Sequence, residues 1–174
     1  HIPRDGALAV YDALWAAGEA HGIQDYGSFA MNSLRMEKAF KGAGELTNEV
    51  TLAEADVLRF ARNENDYIGK DKTLNTDDMR WVCAHLEIEP DGVEDGHGGE
   101  PIMVDGQVMG STASVAYGHT VGKILAFAYV RPEINVAGTE VSVLIAGKPR
   151  AARILGDAAY DPTSALPRTD IAAE

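Results

Sequence analysis

One cysteine, Cys83, stands in a chain of 174 residues. That scarcity excludes an internal disulfide and a cysteine-built structural zinc site, and it suits a reducing compartment such as the cytoplasm. The apolar neighbours Trp81, Val82 and Ala84 favour an inert strand thiol over a nucleophile, because apolar burial raises a thiol pKa. Basic residues are also few: 15 Lys and Arg against 27 Asp and Glu leave a net charge of −12. Such a field opposes a polyanion and excludes a general grip on nucleic acid, while leaving room for a local basic pocket that takes one small anion. Long apolar runs are missing. The strongest, around Ile124 to Val130 and Val141 to Ala146, fall well short of the roughly 20 residues that cross a bilayer, so no transmembrane helix is expected. The spacings of a phosphate loop, a dinucleotide glycine loop, a zinc protease and a nucleophile elbow are all absent. The chain opens on His1-Ile2-Pro3 without the charged, apolar, small-residue order of a signal peptide, and is expected to be a cut piece.

What is present reads as a packed globular chain, with 45% hydrophobic and 24% charged residues, of one domain or two small ones. From Asp5 to about His21, the residues Leu8, Tyr11, Leu14, Trp15 and Gly18 recur at helical spacing. Asp5 is expected to cap this helix, and Gly22 to end it. A second helix is expected from Ser28 through Leu34. Charged and apolar residues then alternate over Arg35-Met36-Glu37-Lys38-Ala39-Phe40, which predicts a strand, followed by a Gly42-Ala43-Gly44 loop. A helical turn over Thr51–Ala55 and a strand over Val57–Ala61 complete an α+β half.

From Arg80 the texture changes to short β-branched or apolar runs at 80–88, 101–104, 107–116, 123–130, 139–146 and 150–155. Asp105-Gly106 and Ala146-Gly147-Lys148 suit hairpin turns, since Asp and Gly tolerate the positive φ that tight hairpins need. Six such strands argue for a small barrel or a sandwich. The stretch 91–100 is a polar loop, and the tail after Asp157 an irregular arm. His97 with Glu94, Asp95 and Glu100 reads better as a solvated acidic loop than as a metal site, because the ligand spacing matches no hard-metal loop. His119, beside glycines, reads better as a turn residue than as a general base. Arg35 and Glu37 share a face if the run is extended, and form either a structural ion pair or a guanidinium for a ligand carboxylate.

Particular motifs carry a resemblance. Ser33-Leu34-Arg35-Met36-Glu37-Lys38, Thr51-Leu52-Ala53-Glu54-Ala55 and Tyr67-Ile68-Gly69-Lys70 resemble the second half of the folate-binding aminomethyltransferase family. That family includes the glycine-cleavage T-protein and the C-terminal regions of dimethylglycine and sarcosine dehydrogenases. Downstream, Gly99-Glu100-Pro101-Ile102, Gly110-Ser111-Thr112-Ala113-Ser114, Tyr117-Gly118-His119-Thr120-Val121-Gly122-Lys123 and Leu125-Ala126-Phe127-Ala128-Tyr129-Val130 are similar to the dehydrogenase branch, as are Tyr11-Asp12-Ala13-Leu14-Trp15 and His21-Gly22-Ile23. The chain departs from the pattern at Arg59, where the family often has an aromatic residue, and at Thr112-Ala113-Ser114, where Thr-Ser-Gly is usual.

The resemblance implies an α+β fold: the second half of the folate-binding domain over 1–78, then a small C-terminal antiparallel β-barrel with an irregular tail over 79–174. It implies tetrahydrofolate as ligand, with Arg35 receiving the anionic end of folate and Arg80 and Tyr117 also facing it, while Glu54 is structural. It places no catalytic residue and no metal in this chain. In the dehydrogenases FAD, bound in an N-terminal part missing here, oxidises an N-methyl amine, and tetrahydrofolate captures the one-carbon unit. The implied partners are folate, a methylated amine and the missing N-terminal domains of the same chain, with neither nucleic acid nor membrane. Two other readings stay open: a stand-alone aminomethyl- or methyltransferase, and a non-catalytic docking module.

Overall fold

The structure, a computed structural model, describes residues 1–61, 64–90 and 96–169. It divides into two units, 1–31 and 32–174. Among the described residues no helix is long and apolar enough to cross a membrane.

The first unit is built on α1 (Ala7–Gly18), entered by a 3-10 turn at Arg4–Gly6 and left by another at Glu19–His21. Asp5 does not cap it: this residue lies within the entering 3-10 turn, and no side chain bonds the first amides. Gly22 does end the segment, with φ of 69°, and Ile23 N donates to Gly18 O as the chain turns back. Gly18 is required there, since a Cβ would lie 2.7 Å from that of Ile23. Tyr11 stacks on Trp15 with centroids 5.9 Å apart and donates its hydroxyl to Asp25 at 2.9 Å. No residue of α1 is buried.

The division between the units falls inside α2 (Ser28–Glu37). The strand expected over 35–40 is not formed, because the helix runs on through Glu37. The alternation of charged and apolar residues concealed a helical face: Ser33, Met36 and Glu37 are three and four residues apart and all buried. The strand expected over Val57–Ala61 is likewise replaced, by a 3-10 turn at Leu58–Phe60. Thr51–Ala55 does form a helical turn, in which Ala55 N donates to Thr51 O. A short helix, α3 (Lys70–Leu74), follows.

Six antiparallel strands close a barrel: β1 (Val82–Ile88), β2 (Pro101–Val104), β3 (Gln107–Gly118), β4 (Lys123–Val130), β5 (Glu140–Ile145) and β6 (Lys148–Leu155). Their order around the barrel is β1-β4-β3-β2-β5-β6, closed by the pairing of β6 with β1. A barrel rather than a sandwich results, and closure leaves no open sheet edge. The hairpins turn where expected, with φ of 49° and 76° at Asp105 and Gly106 and of 49° and 77° at Ala146 and Gly147.

Leu86, Ile88, Ile102, Ala126, Val130, Val143 and Ile154 fill the barrel core. The alternate residues of β1 and β4 point outward and are nonetheless buried: Cys83, Leu125 and Phe127 pack against Met36 of α2. Both faces of β4 are thus covered, which is why it reads in sequence as one continuous apolar run. Polar bonds lock the helix on. Ser33 Oγ donates to Tyr117 O at 2.6 Å, Thr120 N donates to Glu37 Oε1 at 2.6 Å, and Tyr160 N of the tail donates to Glu37 O at 3.0 Å.

Candidate functional site

Arg35 lies in the last turn of α2, where a cation complements the helix dipole. Its Nη1 meets Glu45 Oε2 at 2.9 Å and donates to Phe40 O at 3.2 Å, while Nε donates to Asn32 Oδ1 at 2.9 Å. Glu45 has no exposed side-chain surface, and Arg35 retains 19% of its own. Gly42 N also donates to Glu45 Oε2, at 2.6 Å, so the guanidinium and a backbone amide share one carboxylate oxygen. The anticipated partner, Glu37, points elsewhere: in a helix, two residues apart means different faces.

Arg80 precedes β1 and is two-thirds exposed. Its backbone amide donates to Glu54 Oε1 at 3.0 Å, its Nε lies 3.5 Å from the same oxygen, and its Nη2 donates to Glu49 O at 3.2 Å. Glu54 is otherwise enclosed by Thr51, whose amide and hydroxyl both donate to Oε2. Burial alone would raise the Glu54 carboxyl, but the amides of Thr51 and Arg80, the Thr51 hydroxyl and the Arg80 charge outweigh it and hold it below the usual range. The segment 42–50 therefore ties both arginines, through Glu45 at one end and the Glu49 carbonyl at the other. Tyr129 Oη anchors the same segment by donating to Glu45 O at 2.6 Å.

Tyr117, near the end of β3, has its ring edge-on to His119 at 5.0 Å, and His119 sits exposed in the β3–β4 turn as expected. The three residues do not line one cavity. Arg80 lines a cleft of about 530 Å³ with Glu49, Val50, Trp81, Ser111 and Tyr129. A second cleft, of about 510 Å³, opens at the end of α2 against the outer face of β1 and β4, and includes Lys38, Lys41, Arg59, His85 and Phe127 in its lining. Cys83 is buried, which pushes its thiol up to about 12 and silences it at neutral pH. Glu94 and Asp95 lie outside the described residues, among which no group of three or more His, Cys, Asp or Glu could hold a metal ion. Glu100 instead folds its own loop, accepting from the amides of His97 at 2.6 Å and Gly98 at 3.0 Å and from the Thr112 hydroxyl.

Sequence patterns had not singled out Glu45, Lys41 or His85. Nothing in Gly44-Glu45-Leu46 distinguishes a buried carboxylate from a solvated one, and only the crossing of the loop over β4 makes the difference.

Residues 1–65 match the GCVT N-terminal domain, and residues 82–161 match the glycine cleavage T-protein C-terminal barrel domain. The chain belongs to the glycine cleavage T-protein family. The barrel match runs from the start of β1 to Asp161 of the tail, the residue whose carbonyl and carboxylate accept from Lys38. Arg80 and Trp81 fall between the two matched segments.

Within the family, the chain is 36% identical over 150 residues to the mitochondrial dimethylglycine dehydrogenase of Homo sapiens, covering 83% of this chain and 17% of that protein. It is 30% identical over 168 residues to a probable aminomethyltransferase of Thermococcus kodakarensis, covering 90% of this chain and 42% of the relative. Among solved structures, the glycine cleavage system aminomethyltransferase T from Bartonella henselae shares the fold, with a TM-score of 0.77 at 21% identity over 89% of this chain and 44% of that one. The chain thus spans less than half the length of these relatives.

Proposed function

We propose that the chain is the tetrahydrofolate-binding C-terminal part of an FAD-dependent enzyme of the dimethylglycine and sarcosine dehydrogenase kind. Such an enzyme passes a one-carbon unit from an oxidised N-methyl amine to tetrahydrofolate. The observation that carries this reading is the 36% identity to a dimethylglycine dehydrogenase, running over 83% of the chain and so through both halves of the fold, against 30% to an aminomethyltransferase. We divide these halves at residues 78 and 79, between the two matched segments.

The cleft at Arg80 suits the tail of folate in its chemistry. An exposed guanidinium stands beside the rings of Trp81 and Tyr129, so a carboxylate could pair with the cation while an aromatic ring lies on the aromatic wall. Arg35 belongs to the same assignment through its exposed edge, with Glu45 setting its orientation. Tyr117 completes it, offering a partly exposed ring at the far end of β3. FAD, held in another part of such a parent, would supply the acceptor for the hydride. The residues of this chain bind and orient, and orientation of a nucleophile toward its electrophile is worth roughly 7–11 kcal/mol at its upper end.

The test is made on the complete gene product that carries this sequence. With dimethylglycine or sarcosine as substrate, it should carry flavin and form methylenetetrahydrofolate when tetrahydrofolate is supplied, and free formaldehyde when it is not. A flavin-free product that transfers a one-carbon unit without an oxidant would establish the stand-alone transferase instead.

A further inference from the structure

Six of the described residues other than glycine have a positive φ, and four of them have a local reason for it. Asp105 and Ala146 turn the two hairpins, while Ala39 and Asp56 end helical turns in the place a glycine commonly takes, with Phe40 N donating back to Arg35 O and Val57 N to Leu52 O. The other two lie close together in the tail. Asp161 and Ser164, with φ of 42° and 52°, bracket the turn at Pro162-Thr163, where Ser164 N donates to Asp161 O at 2.9 Å. A β-turn constrains its two central residues, not these. A left-handed backbone at a residue with a Cβ persists where surrounding bonds hold it, and such residues gather at clamps and switch segments.

One side chain holds both. Lys38 Nζ, at the end of α2, donates to Asp161 O at 2.6 Å, lies 3.3 Å from Asp161 Oδ2 and reaches Ser164 Oγ at 3.2 Å. The root of the tail is fixed differently, by packing: Ala159 lies on the cluster of Met36 and Phe127, and the backbone of Asp157 meets the His85 ring. Beyond Ala159 the hold on α2 is polar, through Tyr160 N on Glu37 O and the three contacts of Lys38. This polar part of the tail matters to the cleft at the end of α2, because Pro162 and Ser164 form one of its walls. The opposite wall is closed off, with Cys83 4% and Phe127 1% exposed although both line the space.

We propose that residues 160–165 are a strap that Lys38 fastens over this cleft, and that release of Lys38 frees both left-handed residues and opens the outer face of β1 and β4 to solvent. Because one amine carries all three side-chain contacts, they are lost together, and the strap is either fastened or free. The backbone favours release, and the ion pair opposes it. Lys38 keeps 20% of its side-chain surface and Asp161 9%, so dissolved salt reaches the pair and weakens it. Opening therefore increases with ionic strength, as a local event that leaves the closed barrel intact. The device does not depend on where folate binds.

Two readouts on the complete protein test it, at fixed pH and at low and high salt: amide hydrogen exchange of the peptides covering 157–169, and the rate at which iodoacetamide, an uncharged reagent, alkylates Cys83, followed by peptide mass. In the wild type both rates should rise with salt. Lys38→Met, which keeps the apolar stem, should raise both about tenfold at low salt and remove their salt dependence, with exchange in β1 to β6 unchanged. Asp161→Asn, which tolerates the same backbone and keeps the carbonyl acceptor, should give a smaller rise in both; it carries the test if Lys38→Met does not fold. Strap exchange unchanged in the variants, Cys83 alkylation unchanged while the strap exchanges faster, acceleration spread evenly over the barrel strands, or wild-type rates indifferent to salt would each overturn the proposal.

Discussion

At Glu45 a carboxylate without exposed surface accepts from the Arg35 guanidinium and the Gly42 amide, while the backbone carbonyl of the same residue accepts from the Tyr129 hydroxyl. Removing one member of a buried pair leaves the other charge uncompensated and costs about 3–5 kcal/mol, more than the pair contributes over an apolar replacement. Arg35→Gln should therefore destabilise the protein by about that amount in denaturant unfolding, and the double variant with Glu45→Gln by less than the sum of the two single changes. Strict additivity would show that the two side chains do not depend on each other. Glu100 makes a second residue-scale prediction. Burial opposes its ionisation, but the Thr112 hydroxyl and the amides of His97 and Gly98 hold its carboxyl below the ordinary 4.5. A carboxylate lowered in the folded state contributes stability that is present above its unfolded value and is lost as pH falls through the folded one. The melting temperature should thus drop as pH is lowered below about 4.5, and Glu100→Gln should be less stable near neutrality and flatter over that acid limb. An unchanged acid limb in the variant would remove Glu100 from the account.

The central element is β4, held between the barrel interior and α2. Phe127 is 1% exposed and Met36 fully buried against it. Truncation of a buried phenylalanine costs about 3–5 kcal/mol, so Phe127→Ala should destabilise by that much although the residue points out of the barrel. A loss of under 1 kcal/mol in denaturant unfolding would show that the helix does not close over the strand. The strands and both hairpin turns were legible in sequence, because alternation and the pairs Asp105-Gly106 and Ala146-Gly147 are local signals. The continuation of α2 through Glu37 was not legible. Its charged residues do not mark a solvated face, since Glu37 is buried to accept the Thr120 amide, a partner 83 positions away. The turn at Leu58–Phe60 was hidden for a similar reason: five residues of strand-like composition carry no partner strand of their own.

For the whole molecule, the motifs indicated the family while composition and spacing reached only an α+β half and a small β domain. The fold of the barrel follows from its own residues, whereas α1 has no buried residue. The proposed ligand positions were the least legible from local pattern: Arg35 and Arg80 are tied by the segment 42–50, through Glu45 and the Glu49 carbonyl, whereas Tyr117 lies apart near the end of β3. The central claim is that the cleft at Arg80 receives the carboxylate end of tetrahydrofolate, and it is tested most directly by tetrahydrofolate affinity in the complete protein, wild type against Arg80→Ala. The amide of Arg80 that bonds Glu54 survives the substitution, so the fold is kept. Loss of one charge-assisted contact, about 1.5–3 kcal/mol, predicts a dissociation constant raised by roughly ten- to a hundredfold with little change in melting temperature. Unaltered affinity in a folded variant would contradict the assignment.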